Sequence, residues 1–87
     1  MKQEIKQKII DEFKTHEDDT GSPEIQIALL TREIQDLLSH LDDHPKDVHS
    51  KRGLLKKVGE RKKLLRYLKT NNKKRYKKLI KNLGLRK

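Results

Sequence analysis

Cysteine and tryptophan are both absent from this chain. Without cysteine there is no disulfide, no thiolate nucleophile and no cysteine-ligated zinc, a composition compatible with a reducing compartment. Aromatic residues are nearly as scarce, one phenylalanine and two tyrosines in 87 residues. The apolar residues are mainly leucine and isoleucine, so the core must be thin and aliphatic, of the kind that two or three amphipathic helices share. Such a core argues against a deep enzyme pocket. No apolar run approaches the roughly 18 residues that a membrane span requires. The opening MKQEIKQKII has charges inside its apolar stretch and no small-residue cleavage site, so it does not read as a signal peptide. A chain this short fills one core, and the expectation is a single cytoplasmic domain over residues 1–87 with no membrane partner.

Charge is present in excess and unevenly placed. Residues 1–43 carry 5 basic and 11 acidic side chains, whereas residues 44–87 carry 18 basic and 2 acidic ones. A polyanion is the natural partner for the second half, because each Lys or Arg near a phosphate releases condensed counterions without reading any sequence. The bland alternative is a solvated helix surface.

Apolar spacing predicts four helices and no strand. Ile5, Ile9, Ile10 and Phe13 recur at helical intervals over about residues 3 to 15. Ser22-Pro23-Glu24 then reads as a helix start: a capping oxygen, a proline whose missing N–H costs nothing in the first turn, and an acid at the positive helix end. Ile27, Leu30, Ile34, Leu37, Leu38 and Leu41 share one stripe of this second helix, about 24–43. A turn-rich connector follows, in which Pro45 disfavours helical geometry at His44. Ser50 is expected to cap the third helix, about 50–71, with Leu54, Leu55, Val58, Leu65 and Leu68 on its stripe. Gly59 weakens that helix slightly. Arg61 falls within the stripe, and its stem is expected to snorkel while the guanidinium reaches an acid on a neighbouring helix. Asn71 and Asn72 form a stop. A last helix, about 73–83, holds Tyr76, Leu79, Ile80 and Leu83 and ends at Gly84. The fold class is therefore all-α: a long antiparallel hairpin with the short N- and C-terminal helices packed on it.

Few constellations suit catalysis or cofactors. His40 and His44 are four apart, with His49 near, but Pro45 ends the helix there, no acid stands between them in zinc-protease spacing, and no cysteine assists. Ser22, Ser39 and Ser50 lack the Gly-x-Ser-x-Gly turn, and Gly21, Gly53, Gly59 and Gly84 form no phosphate-cradling loop. The expectation is no enzyme, no metal and no cofactor.

Some polar positions need another explanation. Gln26, Glu33 and His40, spaced by seven, form a ridge of hydrogen-bonding groups beside the apolar stripe of the second helix. Tyr67 points well away from the third-helix stripe, either stacking on a base or sugar or covering the last helix. Lys56, Lys62, Lys63, Arg66 and Lys69 fan outward from that stripe and, with Lys51 and Arg52, are candidate phosphate contacts.

TGSPEIQIALLTREI (20–34), HPKDVHSKRGLL (44–55), KLLRYL (63–68) and RYKKLIKNLGLR (75–86), taken together, closely resemble the family of bacterial small-subunit ribosomal protein fifteen, over essentially the whole chain. The resemblance implies a four-helix protein that binds small-subunit ribosomal RNA early in assembly at a three-helix junction, sits beside neighbouring ribosomal proteins, and helps bridge to large-subunit rRNA. It implies junction contacts at Thr20, Gly21, Gln26 and Tyr67, and contacts to a neighbouring duplex minor groove at His40, Asp47 and Ser50. Pro45 departs from the family pattern where a basic residue is common, and Lys51 where arginine is common.

The chemistry of these residue types agrees with that implication. Duplex RNA shows a wide, shallow minor groove of base edges and 2′-hydroxyls, which short polar groups reach without an inserted helix. Asp47, repelled by phosphate, suits a guanine amine or a sugar hydroxyl, although a turn or capping role coexists with that reading. Thr20-Gly21 supplies backbone that can approach a junction closely, or simply a turn. Two other classes stand beside this reading. A small architectural DNA-binding protein would share the basic half but use apolar wedges or major-groove helices. A helical adaptor whose acidic half binds a basic protein would not require RNA. The free chain is expected to be a monomer.

Overall fold

The computed structural model describes residues 3–14 and 21–84. Within them lie α1 (Gln3–Phe13), α2 (Pro23–Asp43), α3 (Val48–Asn71) and α4 (Lys73–Leu83), and no strand. α2 and α3 run antiparallel. Glu33 pairs with Lys57, Thr31 meets Arg61, and His40 meets Asp47, so residue numbers rise on one helix as they fall on the other. The longest dimension, 40 Å, is little more than the roughly 36 Å that the 24 residues of α3 span at 1.5 Å each.

Local chemistry explains each boundary. Ser22 is extended, and its hydroxyl accepts from the Ile25 N–H while Pro23 opens α2. Between α2 and α3 only four residues intervene, and the Asp47 N–H donates to the His44 carbonyl at 3.1 Å. His44-Pro45-Lys46-Asp47 is therefore a β-turn with proline at its second position, where the ring pre-sets φ. His44 is correspondingly non-helical, with φ −132 and ψ 67. Asn72 both ends α3 and caps α4, its side chain accepting from the Arg75 N–H. Gly84 closes α4 in the left-handed region, φ 67, where a side chain would be strained.

The core sits at the end of the hairpin away from the connector. Ile27, Leu68, Tyr76, Leu79 and Ile80 are buried together, with Phe13, Leu64, Leu65 and Leu83 packed around them. α1 packs on α2 and α4 on α3. The buried Glu24 carboxylate meets the Arg75 guanidinium in a two-bond fork, joining the first turn of α2 to α4.

Several sequence expectations are corrected here. The α3 cap is Asp47 and not Ser50, and the helix starts at Val48. An ionised carboxylate is the stronger acceptor at a positive helix end, and Ser50 becomes the first-turn residue that bonds back to it. Leu38 and Leu55, expected in the stripes, are 51% and 72% exposed because no third helix among the described residues covers the connector half. Ile25 and Ala28, outside the predicted stripe, are buried, since α2 packs on α1 as well as on α3 and needs a wider apolar face. Arg61 does reach across to α2, but to the Thr31 hydroxyl at 3.4 Å and not to an acid. The acids of that face are engaged elsewhere, Glu24 by Arg75 and Glu33 by Lys57.

Candidate nucleic-acid interface

At the connector end the turn brings His40, Asp47 and Ser50 together. Ser50 donates from its N–H to Asp47 Oδ1 at 3.1 Å and from its hydroxyl to Oδ2 at 2.7 Å, and His40 Nε2 lies 2.8 Å from Oδ2. The Ser50 hydroxyl first, then His40 and then the Ser50 N–H hold the Asp47 carboxyl well below its ordinary value of 3.8. At neutral pH Asp47 is thus acceptor-only, which makes His40 Nε2 the donor in their contact. Ser50, its proton committed to Asp47, offers lone pairs, and Oδ1 keeps one unused acceptor site. The trio holds acceptors of Asp47 and Ser50 in a fixed arrangement, suited to an amine or a sugar hydroxyl. The His44 ring stacks obliquely on His40, with centroids 4.7 Å apart.

The other end holds Gln26 and Tyr67. Gln26 Nε2 donates to the Gly21 carbonyl at 2.8 Å, fastening the backbone before α2 onto its first turn. Thr20, the remaining expected junction residue, lies outside the described residues. Tyr67 is 57% exposed, its ring outward as its helical position predicts, and the aromatic that packs against α3 is Tyr76 instead. From the cross-helix pairs, Gln26 is level with residues 64–66, within a turn of Tyr67. Lys63 borders both the groove that Gln26 lines and the depression that Tyr67 lines.

The ridge of Gln26, Glu33 and His40 proves to be a seam. Glu33 and His40 bond across it, to Lys57 and Asp47, while Gln26 turns back to Gly21 at the start of its own helix. Lys51, Arg52, Lys56, Lys62, Lys63, Arg66 and Lys69 are all exposed along α3. The two α3 cations on the inner side are used within the fold: Lys57 pairs with Glu33, and Arg61 is half-buried, its pKa lowered by desolvation. Lys69 leans toward α4, its Nζ 5.7 Å from the Tyr76 ring centre. Sequence reasoning passes over the Glu24–Arg75 fork. Its signal is spacing, since Glu24, Ile27, Ala28 and Thr31 recur on one buried side of α2.

The family model of ribosomal protein S15 matches residues 6–86. The chain belongs to the ribosomal protein S15 family. Small ribosomal subunit protein uS15 of Alkaliphilus metalliredigens is 61% identical over 87 residues, covering the whole of both chains. Its counterpart in Halalkalibacterium halodurans is 57% identical over 99% of this chain and 97% of the relative. That of Desulforudis audaxviator is 61% identical over 94% and 92% respectively. Membership of the S15 family makes the chain a ribosomal protein and not an enzyme, located with the ribosome in the cytoplasm. No helix among the described residues is long and apolar enough to cross a membrane.

Proposed function

We propose that the chain is an RNA-binding component of the small ribosomal subunit, one domain over residues 1–87, which grips small-subunit rRNA at two places early in assembly. Gly21, Gln26 and Tyr67, with Thr20, hold a three-helix junction. His40, Asp47 and Ser50 read the minor groove of the neighbouring duplex. Lys51, Arg52, Lys56, Lys62, Lys63, Arg66 and Lys69 supply phosphate contacts, neighbouring ribosomal proteins complete the setting, and the protein helps bridge to large-subunit rRNA. The free chain is a monomer.

The observation that carries this reading is the separation of the two polar clusters along one rigid helix pair. Gln26 and His40 are 14 residues apart on α2, about 21 Å. A-form minor groove is broad and shallow, so a polar trio on a helix-turn-helix end can lie against base amines and 2′-hydroxyls while the other end engages the junction. An exposed tyrosine with a lysine beside it suits stacking on an unpaired base with a phosphate nearby.

The test measures Tyr67→Ala and Asp47→Ala on RNAs lacking either the junction or the duplex element. Tyr67→Ala should harm mainly junction binding and Asp47→Ala mainly duplex binding, each by about tenfold or more in affinity. Identical losses on every RNA would mean one continuous site and defeat the reading.

A further inference from the structure

α4 breaks a local rule. Its eleven residues, KKRYKKLIKNL, hold six cations and no acid, and three of the six, Lys73, Lys74 and Arg75, occupy the first turn. The positive end of a helix favours acids and disfavours cations. Only Arg75 is compensated there by a described partner, Glu24. Lys73 and Lys77, Lys74 and Lys78, and Lys77 and Lys81 are like-charge pairs four apart, each of which disfavours the free helix.

The fold fixes where these charges point. Tyr76, Leu79 and Ile80 are buried, which leaves Lys74, Lys77, Lys78 and Lys81 exposed on the opposite side. None of these four has an acidic partner among the described residues. Nor is this face a continuation of the seam where Gln26 and Tyr67 lie. α4 meets α3 through Leu68 and the Lys69–Tyr76 contact, whereas the groove beside Gln26 is bordered by Lys63. Leu68 lies about 140° around the helix from Lys63 at 3.6 residues per turn, so α4 and that groove flank α3 on different sides.

We propose that the outward face of α4, through Lys74, Lys77, Lys78 and Lys81, is a phosphate-contacting surface for a second RNA element, distinct from the junction and duplex that the α2–α3 seam engages. Charge complementarity selects the occupant: a cationic stripe without acid matches a polyphosphate backbone. An anionic membrane fits poorly, because a helix that lies on lipid needs its apolar face free and that of α4 is spent in the core. The inference rests on the two-patch reading and extends it to a third contact.

The experiment compares the full chain with K74Q/K77Q/K78Q/K81Q on two probes, a junction RNA with its adjoining duplex and full-length small-subunit rRNA. Glutamine keeps helix propensity, and the charge-keeping K74R/K77R/K78R/K81R controls for folding. The unsubstituted chain should show a steeper salt slope on the full-length RNA than on the junction RNA. The glutamine variant should erase that difference, losing up to about 0.9 of slope per contact and at least about tenfold in affinity on the full-length RNA, with less than about twofold change on the junction RNA. The arginine variant should bind as the unsubstituted chain does. Equal losses on both RNAs, no loss on either, or a preference of the unsubstituted chain for phosphatidylserine vesicles over full-length RNA would each overturn the proposal. Failure of the unsubstituted chain to bind the junction RNA would instead strike the two-patch reading beneath it.

Discussion

The two ends of the α2–α3 hairpin are built on different principles. At one end α1 and α4 close over Ile27 and Leu68, and a buried carboxylate is forked to Arg75. At the other a four-residue turn joins two uncovered helices, Leu38 and Leu55 face water, and cohesion rests on the polar trio of His40, Asp47 and Ser50. Stability is concentrated where apolar surface can be covered by four helices. The connector end is free to be polar because it carries little of that burden, and polar groups held by one another are what a recognition surface needs.

The largest effect should separate the ends most plainly. Ile27→Ala or Leu68→Ala removes a side chain at 0% or 2% exposure and should cost about 2 to 5 kcal/mol, whereas Leu55→Ala should change stability by less than about 0.5 kcal/mol, both read from urea unfolding. Equal costs would mean that the core extends along the whole hairpin. Next comes Arg75→Met, which strands the Glu24 carboxylate in a buried setting. A loss of about 2 to 3 kcal/mol is expected, and adding Glu24→Gln to it should recover part of the loss.

Acid titration sharpens the other half of the comparison. The Asp47 carboxyl is held below its ordinary value, so its stabilising contribution is fully present above about pH 4 and is lost as pH falls below that toward the folded-state value. The unsubstituted chain should therefore be more stable than Asp47→Ala at neutral pH, and the gap should narrow as pH drops below about 4. A gap that stayed constant with pH would show that the cap acts through shape and not through charge. The smallest effect is a gain. Gly59 sits inside α3, a Cβ there would meet nothing within 4 Å, and Gly59→Ala should raise the free chain's stability by about 0.5 to 1 kcal/mol in thermal unfolding.

The architecture is readable in the sequence because helical boundaries here are chemical and local. The Ser22 cap, the Asn72 junction and Gly84 each act through bonds to residues within a turn, and all three fall where spacing predicts. What spacing cannot show is coverage. Leu38 and Leu55 lie in phase with buried residues, but burial depends on whether a third helix reaches them, and none among the described residues does. Ile25 and Ala28 err the other way, since a second stripe becomes visible only once α1 is known to pack on α2. Asp47 is legible as a polar recognition residue beside a capping role, yet residue type alone puts the cap at Ser50, and only the geometry shows one carboxylate serving Ser50 and His40 at once. Periodicity also turns the Tyr67 ring outward but not toward any particular neighbour. The pairing of Gln26 with Gly21 reaches back past the start of α2 and leaves no periodic trace.

Pro45 bears on how quickly the chain reaches this form. With φ already set at the second position of the turn, the unfolded chain gives up less conformational freedom to bring Asp43 and Val48 into place. Closing a loop of about ten residues takes on the order of 10 to 100 ns, and a short turn flanked by helices adds only local contacts. Pairing can then propagate from His40 and Asp47 toward Ile27 and Leu68 by successive short steps, the pattern of low contact order that gives helical proteins their fast folding. The turn end, which holds little of the stability, is thus placed to form early and the packed end to form last.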